Sequence, residues 1–147
     1  MEKNKEKKEF VKIKNWYTDE VIFESSKETI REAVLEAIEK KIDLTRADLT
    51  DAVLTGAVLT DAVLTDAVLT GAVLTDADLT RAVLTRADLT GADLTRAVLT
   101  DADLTDAYYW ATNFKYCKVT KKTKEKILEI MKLVEVKEND SDVADSK

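Results

Sequence analysis

From Ile42 onward the apolar positions of this chain recur every five residues. The run reads IDLTR, ADLTD, AVLTG, AVLTD and so on through ADLTD at Asp106, a pattern A-(D/V)-L-T-x in thirteen near-identical units. Three looser units follow, AYYWA, TNFKY and CKVTK, which bring the tract to Lys121 and to sixteen units in eighty residues. A period of five fits no straight element. On an α-helix, five steps move each Leu about 140° around the axis, so the leucines would face every side. On a strand, the odd period would send Leu to opposite faces in turn. A path that bends once per unit keeps Ala and Leu together inside, with successive coils stacked at strand-like spacing. The pattern therefore predicts an all-β solenoid with a repeat region over 42–121.

The charges at the fifth position set the number of sides, because stacked neighbours avoid like charges. A three-sided coil stacks residues 15 apart and produces three like pairs: Asp51/Asp66, Asp61/Asp76 and Arg81/Arg96. A five-sided coil stacks residues 25 apart and also produces three: Asp51/Asp76, Asp76/Asp101 and Arg96/Lys121. A four-sided coil stacks residues 20 apart and produces none, with seven opposite pairs, including the column Arg46, Asp66, Arg86, Asp106. At that spacing no two Asp residues of the second position stack either. Four sides per coil is the expectation, hence four coils.

The tandem A-(D/V)-L-T-x units closely resemble the pentapeptide-repeat family, whose motif has a small residue, a polar one, a central Leu or Phe, a Ser/Thr-like residue and a variable one. The resemblance covers just over half the chain. It implies a right-handed quadrilateral β-helix with Ala and central Leu pointing inward. The chain departs from the family pattern in one respect: Val stands in place of the usual Asp or Asn at positions 53, 58, 63, 68, 73, 83 and 98.

The flanks carry different periodicities. Val11 to Tyr17 and Val21 to Glu24 read as two strands about a Thr18-Asp19 turn. Ser25 with Glu28 matches a capping box for a helix running to about Lys41, with Ile30, Val34, Ala37 and Ile38 on one face. Past the repeats, Thr120 suits the N-cap of a helix through about Val134, with Ile127, Ile130, Met131 and Val134 as its stripe. The division expected is 1–9 disordered, 10–41 β-hairpin and capping helix, 42–121 β-helix, 122–135 C-terminal capping helix and 136–147 disordered tail. Caps suit the design, because a stacked β-helix leaves unpaired backbone at each end.

Chemistry narrows the function by exclusion. The 147 residues contain no His and one Cys, so the commonest general base and transition-metal ligand are missing and no intrachain disulfide can form. No nucleophile elbow, phosphate loop, calcium-loop spacing or metal-ligand cluster appears, so no catalytic residue, cofactor or metal is expected. Cys117 falls at an inward, Ala-like position and reads as an inert core residue. The repeats hold twelve Asp against four Arg and three Lys within a chain of net charge −6, which disfavours direct nucleic-acid binding. No apolar run is long enough to span a membrane, and the charged opening MEKNKEKKEF lacks the apolar core of a signal peptide, so a cytoplasmic protein is expected.

These observations point to a non-catalytic structural scaffold or protein-interaction solenoid. Candidate partner-surface residues are Asp88, Asp93, Asp103, Tyr108, Trp110 and Tyr116, and the C-terminal helix is a candidate for homodimerisation. The resemblance implies an alternative, since some family members resemble DNA in charge and width and bind DNA gyrase. Against it, four coils rise only about 19 Å, and Arg residues interrupt the acidic faces.

Overall fold

A computed structural model describes residues 10–128. The expectations of disorder at 1–9 and 136–147, and most of the C-terminal helix, lie outside the described residues.

Within the repeats the chain returns beside itself every 20 residues. Parallel bridges join Asp48 to Val68, Val68 to Asp88 and Asp88 to Tyr108, and three further ladders run through Val53/Val73/Asp93/Asn113, Val58/Asp78/Val98 and Val63/Val83/Asp103. The two-residue strands β3 (Val98–Leu99) and β4 (Lys118–Val119) pair in the same parallel sense. Each side makes three backbone bonds to its neighbour. Between residues 67–71 and 87–91, Leu69 N donates to Asp88 O at 2.7 Å, Asp88 N to Ala67 O at 2.9 Å and Gly71 N to Thr90 O at 2.9 Å. The strands stay one or two residues long because each unit ends in a corner.

The corner is a turn over Leu-Thr-x-Ala, closed by the Ala N–H on the Leu carbonyl, as in Ala87 N to Leu84 O at 3.0 Å. From Arg46 to Tyr116 the fifth residue sits in the left-handed region, with φ from 55° at Arg86 to 68° at Gly71. A positive φ at the third turn residue alone marks a type II turn. Most of these positions are Asp or Arg, which tolerate that conformation at some cost. Gly71 has a second reason to be Gly: a Cβ there would lie 2.2 Å from Asp51 Oδ1 of the coil before.

The Ala and Leu positions point inward. Leu44 through Leu104 and Ala47 through Ala107 are buried in one continuous core. Toward the C-terminal end, Tyr109 and Phe114 take the Leu positions, half-buried, with their rings edge to face at 5.7 Å.

Before the repeats, β1 (Val11–Lys14) and β2 (Val21–Ser25) form an antiparallel hairpin. The expected first strand extends to Tyr17; the observed one stops at Lys14. Asn15 ends it, because its Oδ1 accepts from Tyr17 N at 2.9 Å and Thr18 N at 3.2 Å, and Asp19 turns back at φ 58°. The freed segment meets the first coil instead: Asp48 N donates to Lys14 O at 2.8 Å and Trp16 N to Arg46 O at 3.0 Å.

Helix α1 (Ile30–Glu39) starts one turn later than expected. Its capping box is Thr29 with Glu32, not Ser25 with Glu28. Ser25 is buried and its hydroxyl donates to Glu36, which draws it away from the helix start. The helix ends before Lys41, which adopts φ 56° while Ile42 N bonds Ala37 O and Lys41 N bonds Ile38 O, a Schellman closure. Ile13, Ala33, Val34 and Ala37 join the same core as the repeat leucines. After the repeats, residues 121–128 are helical, with Thr120 Oγ1 accepting from Thr123 N at 3.3 Å and Ile127 buried.

Candidate functional site

Because the interior is aliphatic, polar groups gather at the outer faces and corners. Two local rules place them. An Asp at the second position folds back on the Thr two residues later: Asp93 Oδ1 accepts from Thr95 N at 2.9 Å and from Thr95 Oγ1 at 2.5 Å, and Asp78 and Asp103 repeat the arrangement. This Asx turn pins the entry to the corner. The Thr80, Thr95 and Thr105 bonds hold the carboxyls of Asp78, Asp93 and Asp103 below the ordinary carboxylate range. Val at the same position offers no such bond.

The second rule acts at the fifth position. Arg81 grips Asp61, Arg86 grips Asp66 and Arg96 grips Asp76, each through Nε and Nη2 at 2.6–2.8 Å and each 20 residues back. Hydrogen bonding from the guanidinium lowers the pKa of all three aspartates. Arg46 is the exception. Ser26 stands 20 residues before it, outside the repeats. Its Nε lies 3.9 Å from Asp66, which Arg86 already occupies.

Beside Arg46 the hairpin loop builds a cavity of about 430 Å³ lined by Trp16, Tyr17, Arg46, Asp66 and Arg86. The Trp16 indole N–H donates to the Asp66 carbonyl at 2.8 Å, which ties the loop to the second coil. Its ring meets Tyr17 edge to face at 5.7 Å. Both rings remain open to solvent, Trp16 at 48% and Tyr17 at 74% exposure. Sequence reasoning passed over this site. The available signal was a pair of adjacent aromatics in a turn, together with the one repeat Arg that lacks an acidic residue 20 positions earlier.

The six surface residues expected from sequence fall on three sides. Asp88 bridges Tyr108, and Trp110 lies two residues further along that side. Asp93 and Tyr116 belong to the next side, where Lys115 Nζ sits 5.0 Å from the Tyr116 ring centre. Asp103 stands apart, 3.7 Å from Lys126 Nζ. The three aromatics are exposed. Cys117 is half-buried, its Sγ donating to Leu94 O at 2.8 Å, and burial pushes its thiol up to about 11. Among the described residues, no group of three or more acidic, Cys or His side chains is placed to hold a metal, and no helix is long and apolar enough to cross a membrane.

The family model described as pentapeptide repeats matches residues 42–81 and 77–108 in eight copies. The chain belongs to the pentapeptide-repeat family. Family membership implies a right-handed β-helix. Among solved structures, a pentapeptide repeat protein from Nostoc PCC 7120 is 31% identical, covering 63% of this chain and 77% of that one, with a TM-score of 0.46. HetL, a pentapeptide repeat protein involved in heterocyst differentiation regulation from the same cyanobacterium, is 34% identical over 52% of this chain and 38% of its own, with a TM-score of 0.27. A pentapeptide repeat protein from the Arabidopsis thaliana thylakoid lumen is 29% identical, covering 51% and 56%, with a TM-score of 0.33. No curated protein matches the chain.

Proposed function

We propose that residues 42–121 make four coils of sixteen pentapeptide repeats, closed by 10–41 at one end and 122–135 at the other, and serve as a non-catalytic cytoplasmic scaffold that binds protein partners through its outer surface. The observation carrying this reading is the filled interior: from Leu44 to Ala107 the inward positions are buried Leu and Ala in alternation. The packing of Ile13, Ala33, Val34 and Ala37 into that core supports the first closure, and buried Ile127 supports the second.

The surface lattice bears on the alternative of DNA mimicry toward gyrase. Asp61, Asp66 and Asp76 are each neutralised by an Arg, so the acidic faces are broken into pairs. A gyrase supercoiling assay separates the readings. The scaffold reading expects unchanged supercoiling at high protein concentration. Inhibition that weakens in Asp88→Asn/Asp93→Asn overturns it in favour of mimicry. Sedimentation of the full chain tests the proposed homodimer through the C-terminal helix, whose Leu128 is exposed.

A further inference from the structure

We propose that the cavity between the hairpin loop and the Arg46 column binds a ligand that joins a carboxylate to a flat aromatic ring. The carboxylate takes the place that the lattice leaves vacant at Arg46, and the ring lies against Trp16 and Tyr17.

Three observations converge on this site. The first is a missing partner. Each of Arg81, Arg86 and Arg96 is held side-on by an aspartate one coil earlier. Arg46 has no such aspartate, and among the described residues its guanidinium makes no hydrogen bond, only the 3.9 Å approach to Asp66. Its fork of donors is free to grip a carboxylate with two parallel bonds, the geometry its three counterparts already display. The second is local charge. Arg46 and Arg86 flank one Asp66, so the cavity is net positive within an acidic protein and favours an anion.

The third is the aromatic wall. Trp16 and Tyr17 are large apolar side chains kept in solvent by a loop that Asn15 braces at two backbone amides. The indole N–H is already committed to the Asp66 carbonyl, so the ring offers a π-face and edge to its visitor. Such rings stack on planar groups, and a rigid aromatic wall orders little on binding. A cavity of about 430 Å³ accommodates a single-ring acid.

The inference does not depend on the scaffold reading, since the lattice gap and the aromatic loop exist whatever the outer faces bind. It is tested on the full chain by titrating benzoate while following the Trp16 indole N–H and the amides of Tyr17 and Arg46 by NMR. Saturable shifts are expected at those groups with a dissociation constant on the order of 1 mM. Acetate, lacking the ring, and benzyl alcohol, lacking the charge, are expected to bind at least about tenfold more weakly. Arg46→Gln and Tyr17→Leu should each weaken benzoate severalfold. Arg81→Gln, in another column, should leave it unchanged. Absence of saturation at about 50 mM, equal affinity for acetate, or full affinity in Arg46→Gln overturns the proposal. Arg46→Gln removes only a long surface ion pair, and Tyr17→Leu alters an exposed ring, so both variants keep the fold in which the site is read.

Discussion

Replacing Leu84 by Ala tests the packing argument where the coil has least freedom to adjust. Leu84 is fully buried, with Leu64 and Leu104 one coil to either side in its column. Its own N–H donates to Asp103 O at 2.8 Å, its carbonyl accepts from Ala87 N at 3.0 Å, and its neighbour Val83 donates to Ala62 O at 2.9 Å. Those bonds fix the wall, so the space left by the lost side-chain atoms cannot close by moving backbone inward. Leu-to-Ala changes in cores cost about 2.7–5.0 kcal/mol, rising with the cavity that remains. A wall pinned on both flanks places Leu84→Ala in the upper half, about 4 kcal/mol. That is a large share of the 5–15 kcal/mol typical of a folded domain. Equilibrium urea unfolding followed by far-UV circular dichroism measures it, with the m-value checked for constancy. Val53→Ala on the open face, where the side chain is 57% exposed, is the comparison and should cost less than about 1 kcal/mol. A Leu84→Ala loss below about 1.5 kcal/mol, or one no larger than that of Val53→Ala, refutes the rigid-wall reasoning.

Three further outcomes follow from the surface. Val53→Asp gains the Asx turn with Thr55 beside an uncharged Val73, whereas Val73→Asp stacks directly on Asp93; urea melts should favour the first over the second by about 0.5–1 kcal/mol, and the reverse order contradicts the stacking register. The Arg86 bond holds the Asp66 pKa below 3.8, so its contribution is fully present above that pH and is lost as pH falls through the folded pKa; the melting temperature should decline in that acidic window, less steeply in Arg86→Gln, and an equal slope in the variant argues against the linkage. With its thiol near 11 against an ordinary 9.0, Cys117 should react with an aromatic disulfide at pH 8 about a hundredfold more slowly than a free cysteine, and a free-cysteine rate contradicts the burial.

The repeat architecture was legible because two independent periodicities agreed. Ala and Leu every five residues demanded a corner per unit, and the charge columns demanded a return after 20; the bridge from Asp48 to Val68 shows that return directly. The handedness of the corner residue was not read, although its signal was present. Gly56, Gly71 and Gly91 all occupy the fifth position, where a positive φ gives Gly an advantage. Arg and Asp at the other units hid it, because neither type announces a left-handed conformation. The helix start was misplaced for a similar reason. Ser25/Glu28 and Thr29/Glu32 are equally good capping boxes in sequence, and the choice was made by burial of Ser25 against Glu36, a contact between residues eleven apart.

The hairpin cavity shows why a site can escape a repeat-based reading. Repetition draws attention to what recurs, and the recurrent groups satisfy one another: Asp with Thr two residues on, Arg with Asp one coil back. Binding capacity remains where the repetition begins, because the first Arg has no preceding coil to supply its carboxylate. The hairpin that covers this edge brings Trp16 and Tyr17 to that position, through the bond from Trp16 N to Arg46 O. The other end of the repeats is irregular as well. There the Leu positions become Tyr109 and Phe114, and Lys126 reaches back to Asp103 and the Thr105 hydroxyl. The uniform middle thus pairs its polar groups among themselves, and the departures from that pattern gather at the two ends.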